Sequence, residues 1–170
     1  MKEYTQQELD DLISCEKDIC DPPKKDMRKE RGSRRNNMRL RGRDGSLEFS
    51  VFMRINEDFP EDFSIGLEYH PQEERGSICL LRCNGPHGDF LGSPIPSSHF
   101  HYHIHKAKSQ NLASGLRAER GGEVTDTYAS YDQALHHFLR VIHAVNAEEY
   151  FPGLQAPLLP FPEKEGETQS

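Results

Sequence analysis

The sequence predicts an α+β domain with a four- or five-stranded antiparallel sheet, an N-terminal helix and a C-terminal helix that covers the apolar face of the sheet. Apolar residues alternate in several segments of strand length, and short links rich in turn residues join most of them. One segment near each end instead carries a helix-capping signal followed by apolar residues at helical spacing. The 170 residues are most simply one domain, which we place at residues 1–150.

The first helix is predicted from a capping box in which Glu8 follows Thr5 by three residues. Leu9 and Ile13 then recur at the spacing of one helix face. The helix should end before Asp21-Pro22-Pro23, because proline cannot continue a helix.

A basic segment, residues 24–43, follows this helix. It contains ten basic and two acidic residues, a net charge of +8, so the rest of the chain carries −15 to give the total of −7. A basic patch on an acidic protein indicates a polyanionic partner such as RNA. The segment can equally be a flexible, solvated linker, because it contains Gly32 and Ser33 and has no aromatic residue to stack bases. The residues predicted to bind nucleic acid are Arg34, Arg35, Arg39 and Arg41.

Alternation predicts four strands before the histidine-rich region. Residues Leu47 to Ile55 alternate cleanly, and the Arg43-Asp44-Gly45 turn before them favours a hairpin with Met38–Gly42. The other two strands are predicted at 63–69 and 77–84. Their short links make these strands antiparallel neighbours.

A fifth strand is predicted where histidines occupy alternate positions from 99 to 105. An extended chain would send these imidazoles to one face, which should look onto solvent or a groove. The other face, with Phe100, Tyr102 and Ile104, should pack beneath the C-terminal helix. The histidines of the predicted face are His99, His101, His103 and His105.

The last helix is predicted over Ser130–Val145, where Ser130 and Gln133 form a second capping box. Residues 151–170 are rich in proline and then acidic and polar. We expect this tail to be disordered, because it has too few apolar residues to pack.

The four cysteines form no dense disulfide pattern, which is typical of a reducing compartment. Cys79 and Cys83 would lie on one face of a strand about 13 Å apart, too far to share one ion. No apolar run reaches the roughly 20 residues that span a bilayer, and the first residues lack the apolar stretch of a signal peptide. We therefore expect a cytoplasmic protein without membrane contact.

The histidine strand permits a metal site but does not complete one. His101 and His103 would have backbones about 7 Å apart and rings on the same side. A zinc site usually needs three or four protein ligands. His87 and Asp89 in the preceding loop can complete a metal set, but nothing in the spacing demands it. We therefore predict no metal and no other cofactor.

The same groups can act without a metal. One neutral imidazole can take a proton from a ribose 2′-hydroxyl while a protonated one supports the leaving oxygen and a guanidinium holds the phosphate. Two alternatives stay open: a non-enzymatic inhibitor or immunity-type module that binds a cognate protein, and a divalent metal-binding protein. The predicted catalytic residues of a metal-independent ribonuclease are His87, His101, His103 and Arg82.

Three features together resemble a family of small, uncharacterised bacterial and prophage proteins. They are the run Leu80–His87, the histidine run 99–105 after a proline-containing loop, and the helix Ala134–Leu139. Some members are similar to the TumE-type toxins of toxin–antitoxin systems. The resemblance spans residues 47–145 and implies a compact antiparallel sheet with flanking helices. It also implies a role in a toxin–antitoxin or phage-defence locus. With the basic segment and the histidines, this predicts an RNA-directed protein, with RNA or a cognate protein as partner.

Overall fold

The computed structural model describes residues 2–88 and 97–153. Three α-helices lie in this part of the chain, at Gln6–Ser14 (α1), Ser109–Ala113 (α2) and Tyr131–Val141 (α3). The strands are Lys17–Asp21 (β1), Arg28–Glu30 (β2), Ser33–Gly42 (β3), Glu48–Asn56 (β4), Phe63–His70 (β5), Ile78–Asn84 (β6), His103–Lys106 (β7) and Glu123–Val124 (β8). None of these helices is long and apolar enough to cross a membrane.

The strands form one sheet in which every ladder is antiparallel, in the order β1-β3-β4-β5-β6-β7-β8. β4 pairs along one edge of β3, and the other edge is shared by two strands. β2 pairs there with residues 33–35 and β1 with residues 39–42. The α+β class is confirmed, but the sheet has eight strands instead of the predicted four or five. The additional strands are β1, β2 and β8.

Most of the basic segment is ordered sheet and not a flexible linker. Residues 28–30 pair with 33–35 across a two-residue turn in which Arg31 and Gly32 both have positive φ, 49° and 74°. This conformation matches the twist of a hairpin. The predicted hairpin of Met38–Gly42 with the next strand is confirmed and is longer than expected, with pairing from Ser33 to Arg41.

The two sides of the sheet differ in character. On one side, alternate residues of the central strands join α1 and α3 in a single apolar core. Both helices begin at the predicted capping residues: Thr5 Oγ1 accepts from the Glu8 backbone N–H at 3.1 Å, and Ser130 Oγ accepts from that of Gln133 at 3.2 Å. The buried sheet residues of this core include Met38, Leu40, Phe49, Val51, Met53, Phe63, Ile65, Leu67, Leu81 and Cys83.

A β-bulge in β6 decides which residues face the core. Glu68 pairs with Cys79 and Leu67 pairs with Leu81, so Leu80 is an extra residue. The bulge reverses the alternation, which places Cys79 and Cys83 on opposite faces of the sheet. The prediction that these two cysteines share a face is therefore wrong.

Lys17, in β1, is completely buried and holds two helices to the sheet. Its ammonium group donates hydrogen bonds to the carbonyl oxygens of Ile13 at 2.8 Å, Cys15 at 2.7 Å and Ile142 at 3.1 Å. These carbonyls lie at the C-terminal ends of α1 and α3, where the helix dipole favours a cation. The same nitrogen lies 4.7 Å from the ring centre of Phe49.

The packed chain continues past residue 150, the predicted end of the domain. Phe151, the first residue of the predicted tail, is partly buried against the core. The rest of that tail, from residue 154, lies outside the described residues. Asp89, considered above as a metal ligand, also lies outside them.

Candidate histidine and arginine site

The register of the sheet builds two rows of side chains on the face opposite the core, which we call the polar face. The first row, the Arg54 row, crosses five strands, and the second, the Phe52 row, runs beside it. Paired residues of an antiparallel sheet point to the same side, so each row is continuous. The Arg54 row is Arg35, Arg54, Ser64, Asn84 and His103; the Phe52 row is Asn37, Phe52, Gly66, Arg82 and His105.

Four imidazoles meet at the β7 end of these rows and form what we call the histidine cluster, His87, His99, His103 and His105. The ring centres of His87, His99 and His103 lie 4.6, 4.9 and 5.1 Å from one another. A ring nitrogen from each of these three residues lies within 4.8 Å of the other two. The His105 ring centre lies 4.9 Å from that of His103.

The histidines reach this cluster by a route that alternation did not predict. β7 begins only at His103 and pairs with β6 as expected, but residues 97–100 form a 3-10 helix. The ring of His99 therefore folds back onto that of His103, while His101 is exposed in the connecting bend and lies outside the cluster. The prediction of one four-histidine strand face is wrong.

Burial of the predicted strand also differs from expectation. His103 and His105 are 0% and 3% exposed, so these two imidazoles do not face solvent. Tyr102 and Ile104 pack against the core as predicted. Phe100 is 49% exposed, so the prediction that it packs beneath the last helix is wrong.

Backbone carbonyls orient the two buried imidazoles. His103 Nδ1 lies 2.7 Å from the carbonyl oxygen of His101, and His105 Nδ1 lies 3.0 Å from that of Glu119. A carbonyl only accepts, so both Nδ1 atoms donate, and a neutral ring then carries its lone pair on Nε2. His103 Nε2 lies 3.4 Å from the side-chain nitrogen of Asn84. His105 Nε2 is buried and has no hydrogen-bond partner among the described residues.

The cluster is held in its neutral form. Burial lowers the pKa of His103 and of His105 to about 4, and the nearby charge of Arg82 acts in the same direction. Burial also lowers the pKa of His87 and of His99. These imidazoles therefore present lone pairs near neutral pH, as a general base or a metal ligand must.

A pocket of about 370 Å³ opens on the polar face next to the cluster, and His87 belongs to both. We call this cavity the arginine pocket, and it is lined by Arg35, Phe52, Arg54, Asp62, Ser64, Arg82, Asn84 and His87.

Two arginines of the arginine pocket differ in their partners. Arg54 donates to Asp62 at 2.7 Å. Arg82 has a long ion pair of 4.0 Å to Glu119, and its buried Nε has no hydrogen-bond partner among the described residues.

Phe52 gives the arginine pocket an aromatic wall. Its ring lies over Gly66, where an added Cβ would come within 2.2 Å of the ring. Glycine at this position therefore allows the ring to lie against the sheet. The phenyl group is half-buried and so keeps part of its surface open to the pocket.

The polar site rests on rigid elements. The Tyr128 hydroxyl lies 2.7 Å from the carbonyl oxygen of His103 and donates to it from the core side. Phe63 contacts the rings of Tyr102, Tyr128 and Tyr131, so aromatic packing supports the sheet below the cluster. Behind the imidazoles, a Cβ added at Gly122 would lie 2.9 to 3.0 Å from the rings of His103 and His105.

The four arginines predicted to bind nucleic acid are divided between the two sides of the sheet. Arg35, Arg39 and Arg41 alternate on the polar face, and Arg39 pairs with Glu48 at 3.6 Å. Arg34 pairs in register with the core residue Ile55 and therefore lies on the other side. The sequence reasoning did not include Arg54 or Phe52 in the site, because only cross-strand register brings them beside Arg35.

Comparisons with protein-family models, with curated proteins and with solved structures found no match to this chain. The fold and the site together define an α+β protein with one large antiparallel sheet and a histidine and arginine site on its polar face.

Proposed function

We propose that this protein binds single-stranded RNA on the polar face and cleaves its phosphodiester backbone beside the histidine cluster without a metal. The observation that carries this proposal is His87, which lines the arginine pocket and also contacts the rings of His99 and His103. Phosphate-binding groups and proton-transfer groups therefore share one place. The toxin–antitoxin or phage-defence setting stays a prediction supported by the resemblance of residues 47–145.

RNA binding is argued from the arginine pocket. Arg35 and Arg82 offer guanidinium groups to a phosphate, and Asp62 neutralises only the charge of Arg54. The ring of Phe52 offers a surface on which a base can stack, which is how proteins bind single strands with little sequence preference. The volume of about 370 Å³ lies in the range of small-ligand sites and suits one nucleotide.

The cleavage step follows from the neutral imidazoles. His87, the cluster member that lines the pocket, takes the proton of a ribose 2′-hydroxyl. The 2′-oxygen then forms a bond to phosphorus, the bond from phosphorus to the 5′-oxygen breaks, and a cyclic phosphate remains. Arg82 stabilises the charge on the phosphoryl oxygens. A second imidazole of the cluster, that of the partly exposed His99, takes a proton from solvent, which the charge of the bound phosphate favours, and gives it to the 5′-oxygen.

The test compares a labelled single-stranded RNA with DNA of the same sequence in the presence of a chelator. The wild type should cleave the RNA to a product with a cyclic phosphate end and leave the DNA intact, because DNA lacks the 2′-hydroxyl. His87→Ala and His99→Ala should each lower the cleavage rate by about 10² to 10⁴, the usual contribution of a positioned acid or base.

His101→Ala separates the predicted site from the observed one. The structure places this imidazole outside the cluster, so its variant should keep its activity, whereas the catalytic set predicted from sequence expects a loss. A wild type that neither binds nor cleaves RNA would contradict the proposal. Co-purification with one protein at a fixed ratio would then favour the inhibitor or immunity-type alternative.

A further inference from the structure

We propose that His87, His99 and His103 form a binding site for a divalent transition-metal ion, with Zn²⁺ as the ion that suits it best. The three residues come from three different segments, the loop after β6, the 3-10 helix and β7, yet their ligand atoms lie within 4.8 Å of one another. This convergence is not explained by packing of apolar surface.

The spacing requires only a small closure. Bonds of about 2.0 to 2.1 Å from zinc to imidazole nitrogen place two ligands of a tetrahedral ion roughly 3.3 Å apart. His87 and His99 are only partly buried and lie outside the strands, so their rings can rotate toward the ion. His103 is completely buried in the sheet and provides the fixed ligand.

The surroundings of the cluster are those of a metal site. The hydrogen bond from His103 Nδ1 to the carbonyl of His101 leaves Nε2, 3.4 Å from the Asn84 side-chain nitrogen, as the ring nitrogen that would bind the ion. Such a carbonyl contact behind a ligand is the usual outer support of a metal-bound histidine. Independently, His105 Nε2 is a buried acceptor without a partner among the described residues, next to His103. It can accept a hydrogen bond from a water on the fourth position of the ion.

The donor set identifies the class of ion. Three neutral imidazoles favour zinc and its transition-metal neighbours over Mg²⁺ and Ca²⁺, which prefer oxygen ligands. Cys83, the cysteine that is nearest to His87 in the sequence, faces the core and cannot contribute a thiolate to the polar face. Zinc is therefore a better fit than an iron–sulfur centre.

A bound ion would occupy the same imidazole lone pairs that take up protons in the proposed cleavage of RNA. Zinc-bound protein should therefore be inactive toward RNA, which makes the ion a regulator of the site. This consequence rests on the proposed function, whereas the binding itself does not.

The experiment titrates chelator-treated full-length protein with Zn²⁺ in a calorimeter, with Co²⁺ absorption in the visible range as a second readout. We expect one ion per chain. His87→Ala and His99→Ala should each weaken binding at least about 100-fold, because each removes one of three ligands. Both residues are partly exposed, so these variants are expected to fold. His136→Ala, on α3 at the core side of the sheet, is the matched control and should bind like the wild type.

Absence of zinc binding, or equal binding by the wild type and His99→Ala, would overturn the metal site. One-to-one binding that is lost in the two variants supports it. If zinc binds and also stops RNA cleavage, both proposals are supported. If zinc binds but RNA is never cleaved, the metal site stands and the proposed function falls. If a chelator abolishes cleavage and zinc restores it, the site stands and the metal-independent reaction is wrong.

Discussion

Buried basic side chains occur in two regions of this protein, and they are satisfied to different degrees. Lys17 is fully enclosed, and each of its three ammonium hydrogens has a carbonyl acceptor. On the opposite side of the sheet, His105 Nε2 and Arg82 Nε are buried without a partner among the described residues. Native proteins rarely leave such atoms unpaired, so each exception needs an explanation.

This difference in pairing distinguishes a polar group that stabilises the fold from polar groups that can bind a ligand. A buried network with every member paired stiffens the structure, whereas an incomplete network costs stability until something completes it. Lys17 therefore belongs to the fold. The unpaired atoms of the histidine cluster and of Arg82 lower the stability of the folded protein, and a phosphate or a metal ion can supply the missing contacts.

The largest expected effect is acid destabilisation through the histidine cluster. The pKa of His103 and of His105 is about 4 in the folded protein and near 6.5 in the unfolded chain. Between these values the unfolded state binds more protons, so stability is complete above pH 6.5 and falls as the pH drops toward 4. Each imidazole contributes roughly 3 kcal/mol at most.

Urea unfolding in the presence of a chelator, at several pH values between 7 and 4, measures how the free energy of unfolding depends on pH. His103→Gln should show a clearly smaller slope than the wild type, because one of the two rings with the largest shift is gone. Lys17→Met should keep the full slope, since it leaves both imidazoles in place. A free energy of unfolding that stays constant from pH 7 to pH 5 would contradict the assignment.

The second expected effect concerns Lys17 itself. Lys17→Met keeps the length and apolar stem of the side chain but leaves the carbonyls of Ile13, Cys15 and Ile142 without their donor. We expect a loss of about 2 kcal/mol, because unpaired buried carbonyls cost more than the relieved desolvation of one ammonium group returns. Thermal and urea unfolding measure the loss. Zinc affinity and RNA cleavage of the folded variant should not change, and a change in either would show that the two regions are coupled.

Local signals in the sequence predicted the elements that depend on neighbouring residues. The capping residues Thr5 and Ser130 begin the two main helices, and clean alternation identified the central strands from residue 38 to residue 84. β1 was missed because a lysine at an inward position, Lys17, looks like a surface residue when only its charge is considered. β8 has two residues and carries no periodicity at all.

The candidate site was predicted only in part, because it depends on chain reversal and cross-strand register. In a continuous strand His99 and His103 would lie about 13 Å apart. The 3-10 helix and the bend at His101 instead bring their ring centres to 4.9 Å. Likewise, no local pattern links Phe52 with Arg82, which the pairing of β4, β5 and β6 places in one row.

The smallest expected effect on stability comes from Arg82→Lys. Lysine keeps the positive charge near Glu119 but lacks the Nε–H that is buried without a partner among the described residues. We therefore expect the free energy of unfolding to change by no more than about 0.5 kcal/mol. RNA affinity should nevertheless fall about tenfold, because an ammonium group cannot replace the two-pronged contact of a guanidinium with phosphate. Urea unfolding and RNA titration of the same preparation measure the two quantities. A variant that is clearly destabilised yet binds RNA normally would place Arg82 with Lys17 among the residues that build the fold.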